Sequence, residues 1–229
     1  MTEILFFGAL FVGSHFALGA PNVRRQLVAR LGEPGFSGFY SIVALFTLVI
    51  FVMSYSNQLS FDYWWGPAPE FYWITKLLMW LALVLAAGAF LAPNPSMSAL
   101  AGGMESSDSP AMTPRGVQTI TRHPFLWGTG LWGFSHMIAN GDSKSVVFFG
   151  WFLLLGAFGA WILDWKKTQQ LGDVWSLYCE QTSNVPFAAL LMGRTKLNAR
   201  DLLLPLVAGT ALYAAVYWGH VYLAGVALF

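Results

Sequence analysis

The sequence predicts an all-α, polytopic membrane helix bundle with about six transmembrane helices and an amphipathic interfacial helix in its last loop. Three observations carry this. Of 229 residues, 56% are hydrophobic and 10% charged, where a soluble domain carries about a quarter charged residues. The mean hydropathy is +0.57. The apolar residues come in long continuous runs, not in alternation, which argues against a membrane barrel. A net charge of +1 gives no basic field for nucleic acid. The single Cys179 excludes an intrachain disulfide and a cysteine-based zinc site. No long internal repeat divides residues 1–229, which read as one integral membrane domain whose surrounding partner is the lipid bilayer.

A spanning helix needs about 20 mostly apolar residues. Six stretches approach this: 4–20, 36–55, 71–92, 124–139, 146–163 and 202–223. The first follows an acidic Met1-Thr2-Glu3, whereas a cleaved signal peptide calls for a basic start, so it reads as a retained helix. Tyr63, Trp64, Trp65 and Tyr72 surround the second loop, where an aromatic interfacial belt belongs. The third loop, 93–121, is long, small and polar, and reads either as a lid over an opening or as a plain connector. In the fifth loop Leu171, Trp175 and Tyr178 share one helical face with charges between them, the pattern of a helix lying on the membrane surface. Residues 187–192 are too short to span and would dip into the interface.

Charge sets the expected orientation. Ten of the 12 basic residues lie in the first, third and fifth loops; the second has none and the fourth only Lys144. The positive-inside bias puts the basic loops in the cytoplasm and both termini on the outer face.

The chemistry centres on four histidines. An ionisable side chain inside a span is costly to bury and marks a functional site by default. His15 lies in the first helix, His136 in the fourth and His220 near the end of the sixth, while His123 stands at the mouth of the fourth beside Arg122 and Pro124. No paired carboxylate or zinc spacing accompanies them. His136 shares its face with Gly133, Trp132 and Thr129, and His15 shares its face with Gly8, Val12 and Gly19. Two such faces could admit a flat macrocycle between helices with one imidazole on each side, a usual way to build a haem site. The competing reading is that each histidine bonds a neighbouring helix and that the small residues permit close packing. At 1.5 Å per residue, His15 lies roughly 8 Å and His136 about 18 Å from the inner face. Depth alone therefore pairs His136 with His220. Arg122 and His123 would meet a headgroup or a cofactor propionate, or simply anchor the helix; Asp164 would cap its helix or pair with Lys167.

Ile120-Thr121-Arg122-His123-Pro124 with Ser135-His136, Gly13-Ser14-His15, Phe158-Gly159-Ala160-Trp161 and Thr182-Ser183-Asn184-Val185-Pro186-Phe187 together resemble the NnrU family. These are bacterial inner-membrane proteins associated with nitrite and nitric oxide metabolism in denitrification, and similar to the 15-cis-ζ-carotene isomerases. The resemblance implies haem b ligated by His15 and His136; depth keeps His220 as runner-up, and the face and mouth readings put Gly133, Thr129, Arg122 and His123 around the cofactor. The resemblance also implies either a redox partner or a hydrophobic polyene substrate that is isomerised between cis and trans under redox control. Gly133 stands where the plant isomerases carry a cysteine, so a swap to thiolate ligation is closed here. A wider similarity, to isoprenylcysteine carboxyl methyltransferases, rests on Arg122-His123-Pro124 and Leu171-Gly172, Tyr178 and Pro186. It implies S-adenosylmethionine, but the acidic pair expected before the late segment is replaced by Lys166-Lys167.

Overall fold

Eight helices make up the regular structure in a computed structural model, which describes residues 1–59, 62–66, 69, 72–97, 112–226 and 228. They are α1 (Thr2–Gly19), α2 (Pro21–Ser56), α3 (Tyr72–Gly88), α4 (Pro124–Asn140), α5 (Ser143–Leu171), α6 (Asp173–Gln181), α7 (Ala188–Leu191) and α8 (Ala199–Ala224). A 3₁₀ turn, Gly116–Thr119, precedes α4. Among the described residues there is no strand, only one isolated bridge between Tyr63 and Asp142. The protein is a multi-pass, all-α membrane bundle.

Six apolar helices form the bundle, but they differ in length. By length and composition α1, α2, α5 and α8 are able to cross a membrane. Helices α3 and α4 have 17 residues each, roughly 25 Å at 1.5 Å per residue. That falls short of a hydrocarbon core about 30 Å thick. They lie in the middle of the bundle, α4 packing on α5 and on α3, and α3 also on α8, while α1 packs on α2 and α5.

Glycine brings the central helices together. A Cβ on Gly128 would meet Ala82 O at 2.7 Å, and one on Gly133 would meet Phe149 O at 2.6 Å. Helix α4 thus presses its backbone on α3 at one turn and on α5 at the next, as small residues allow within membranes. A cluster of Phe11, Phe51, Phe148, Phe149 and Phe152 fills the space between α1, α2 and α5.

Two loop expectations need correction. The first basic loop is helical: Arg24, Arg25 and Arg30 lie on the opening turns of α2. The helix is broken at Gly32, where φ is 71° and ψ 167°, a conformation glycine reaches without steric cost. Arg24 bridges the break to Glu33 at 2.6 Å. In the fifth loop, α5 continues to Leu171 and carries Lys166 and Lys167; only then does Gly172 start the nine-residue α6. Trp175 and Tyr178 share a face as expected, but both are buried against Met112 and do not lie on a membrane surface. The lid reading of the third loop falls largely on residues 98–111, outside the described residues.

Candidate functional site

Two polar centres sit at opposite ends of α4. At its start, Pro124 occupies the first helical turn, where a missing N–H costs nothing, and His123 is the N-cap. The chain before it is held by the Thr182–Phe187 segment. Arg122 N donates to Ser183 O at 2.9 Å and Phe187 N to Ile120 O at 2.8 Å. Thr121 Oγ1 donates to Asn184 O at 2.6 Å.

This frame aims Arg122 and His123 at Asp164 of α5. The Arg122 guanidinium grips the carboxylate with two bonds of 2.7 Å, Nε to Oδ1 and NH2 to Oδ2. His123 Nε2 donates to Oδ1 at 2.7 Å and Asn184 Nδ2 to Oδ2 at 2.9 Å. Asp164 therefore holds four short hydrogen bonds. Such a bidentate, charge-assisted pair is geometrically specific and strong. Burial holds His123 below the usual imidazole range, with Asp164 pulling the other way. Tyr178, whose hydroxyl reaches Gln118 Oε1 at 3.2 Å, is pushed up by burial. Arg122 is thus committed to Asp164 and not free to meet a propionate or headgroup, and Asp164 pairs with Arg122 rather than with Lys167.

The second centre lies in the far half of α4. His136 Nδ1 donates to Trp132 O at 2.8 Å, one turn back. Its ring stacks on Phe149 at 4.6 Å and packs on Trp132 at 4.9 Å. Against it stands His220 of α8, with ring centroids 6.5 Å apart and planes 22° apart. His220 Nδ1 donates to Val226 O at 2.7 Å. With Nδ1 as the donor on both rings, the lone pair of each Nε2 is left available. Anchoring one ring nitrogen on a carbonyl is how metal-ligating histidines are oriented.

His15 is placed apart. Its Nδ1 donates to Phe11 O at 2.7 Å, and its ring meets Phe11 at 4.5 Å and Tyr40 at 5.6 Å. Contacts through Phe11, Phe152 and Trp132 lead from it to His136. Gly133 faces the α5 backbone, so its lack of a side chain serves helix packing. Thr129 Oγ1 donates to Phe125 O at 3.0 Å. It lines an open, apolar groove of about 200 Å³ with Ala82, Ala86, Gly128, Trp132 and Phe152. Trp132 belongs both to this groove and to the histidine pair.

The donor chemistry of the second centre fits a two-histidine haem: oriented imidazoles, free Nε2 atoms and apolar walls. Among the described residues no group of three or more histidine, cysteine, aspartate or glutamate side chains could hold a bare metal ion. Sequence reading missed Asn184 as a partner of Asp164 and Tyr178 as a buried hydrogen-bonding group. The Thr182–Phe187 string was the available signal, but nothing in it names Asp164.

A membrane bundle with a buried Arg–His–Asp clamp and a histidine pair in its apolar part defines the class. The family model described as NnrU protein matches residues 4–228, and the chain belongs to that family. It is 33% identical over 113 residues to a protein of Zea mays named 15-cis-zeta-carotene isomerase, chloroplastic, covering 48% of this chain and 31% of the relative. It is 30% identical over 109 residues to the protein of the same name from Arabidopsis thaliana, covering 46% and 30%. The matches thus span less than a third of each relative's length. No solved structure matches.

Proposed function

We propose that the chain is a membrane isomerase of long apolar polyenes that uses haem b, held by His136 and His220. The observation that carries this reading is the pair itself. Two imidazoles 6.5 Å apart, each with Nδ1 on a carbonyl, border an apolar groove through Trp132. The names of the plant relatives favour a carotenoid as the polyene. When bound, haem supplies an iron centre whose ligation and Lewis acidity change with redox state. The chain's own residues supply the rest. Ala82, Ala86 and Gly128 leave room for a slender apolar chain in the groove. Phe149 and Trp132, with Phe152 behind Trp132, keep water from the His136 imidazole. On this reading the basic end faces the cytoplasm of a bacterial inner membrane.

Absorption spectra of purified protein, oxidised and then reduced, test the cofactor; conversion of poly-cis ζ-carotene followed by chromatography tests the activity. The expected result is a two-imidazole haem b spectrum and conversion by the reduced protein. His136→Ala and His220→Ala should each lose both, and His15→Ala neither. Loss in His15→Ala with a normal His220→Ala would give the pair to His15 and His136, as the family resemblance implies. A colourless protein from haem-replete cells would overturn the cofactor. A haem protein that converts no polyene, but forms a nitrosyl spectrum with nitric oxide, would favour a role in nitrogen-oxide metabolism.

A further inference from the structure

The clamp at the basic end leaves three buried groups unused. His123 is 1% exposed, and among the described residues its Nδ1 has no partner. Trp175 is 1% exposed, and among the described residues its Nε1 has none either. Their rings lie 6.2 Å apart. Lys167 is 5% exposed, with no hydrogen bond or ion pair among the described residues. It lies one turn beyond Asp164 on the same face of α5, and its charge is felt at His123.

Neither Lys167 nor Trp175 bonds Asp164, whose two oxygens already accept from Arg122, His123 Nε2 and Asn184. Lys166 is not a counter-charge but another cation, folded over Gly19 at the end of α1. The nearby Arg24 is also cationic and pairs with Glu33. A buried ammonium without a counter-ion is costly, and folds seldom retain one. An indole N–H left unpaired beside it adds a second idle donor.

We propose that Lys167, Trp175 Nε1 and His123 Nδ1 form an anion site at the basic end of the bundle, and that its ligand is a phosphate group. Lys167 supplies the charge and Trp175 a directed N–H donor. His123 Nδ1 accepts from a protonated phosphate oxygen, which a carboxylate anion cannot offer. A phosphodiester has no protonated oxygen to donate, so the source is either the monoester headgroup of phosphatidic acid or free phosphate, and the two are separable by experiment.

The test is ³¹P NMR titration of the protein, in detergent micelles with inorganic phosphate and in nanodiscs of phosphatidylcholine with or without phosphatidic acid. Sulfate at matched ionic strength controls for non-specific screening. Saturable binding in micelles identifies free phosphate; binding confined to discs that contain phosphatidic acid identifies the lipid. Lys167→Met should weaken either by about tenfold or more, the scale of one charge-assisted hydrogen bond. Trp175→Phe should weaken it less, and Lys196→Met not at all. Lys167→Met should also unfold at a higher temperature than wild type in phosphate-free micelles, since it removes an unpaired buried charge. This keeps the test sound if a variant fails to bind, because a merely misfolded variant would unfold earlier. No saturable phosphate signal in any medium, or binding unchanged in both Lys167→Met and Trp175→Phe, overturns the proposal.

Discussion

The two ends of α4 carry histidines put to opposite uses. At the start of the helix, His123 joins Arg122 and Asn184 on a single carboxylate, and the Thr182–Phe187 segment is stitched to the same turn. In the far half, His136 and His220 make one backbone hydrogen bond each and meet each other; His136 also meets Ser135 Oγ at 3.5 Å and the rings of Phe149 and Trp132. In the first region the Asp164 carboxylate is saturated, so it behaves as a clamp joining the start of α4, α5 and the tail segment. The second is under-committed, and its open nitrogen lone pairs are what ligation requires. The difference teaches that the stretch richest in charge is the fixture, while the sparse apolar stretch is the one that leaves ligand atoms uncommitted, which is why the proposed haem is put there.

The largest expected effect breaks the clamp. Asp164→Asn keeps the shape but leaves the buried Arg122 guanidinium without its counter-charge, 13% of its side chain being exposed. Removing one partner of a buried pair costs about 3–5 kcal/mol. Thermal unfolding in detergent should show that loss, with any haem spectrum of the surviving folded fraction unchanged. A fully stable Asp164→Asn protein that had lost activity would reverse the comparison and make the clamp the chemical centre.

A smaller effect sharpens the other side. Gly133→Ala places a methyl at 2.6 Å from Phe149 O, a backbone atom that cannot rotate away. Overpacking of this kind costs about 1–3 kcal/mol. Because Phe149 also stacks on His136, the shift should reach the histidine pair. Reduced stability together with a perturbed haem spectrum is the expected result. An unperturbed spectrum would separate the α4–α5 contact from the site.

These contrasts explain what could be read in advance. The bundle was legible because a membrane leaves few alternatives to long apolar helices. The common depth of His136 and His220 was accessible from the helical rise, since depth follows from counting residues, but that their rings meet comes from the fold. The family strings pointed instead to His15, which the fold sets beside Phe11 and Tyr40. The clamp was not legible: Arg122 and Asp164 are 42 residues apart, and no local pattern records which carboxylate an arginine will meet. The break at Gly32 was hidden as well, because a basic, glycine- and proline-bearing stretch reads as a loop whether or not helix lies on both sides of it.

The smallest effect concerns protons at the clamp. Burial lowers the pKa of His123 in the folded protein below the ordinary imidazole value of about 6.5. The groups facing it are Asp164 and Lys167 from α5, Arg122 from its own segment and Trp175 from α6. Between the folded and unfolded values the unfolded chain binds the extra proton, so stability must fall as pH drops. This contribution is complete above about pH 6.5, and it is lost as pH falls through the lower folded value. Unfolding midpoints measured from pH 8 to pH 5 should therefore decline on the acid side. His123→Gln, whose amide still donates to Asp164 but does not titrate, should decline less. Parallel curves for the two proteins would mean that folding leaves the His123 pKa unshifted; a wild-type curve that rises toward acid relative to His123→Gln would mean that the fold binds the second proton and that the clamp is a doubly cationic grip on one carboxylate.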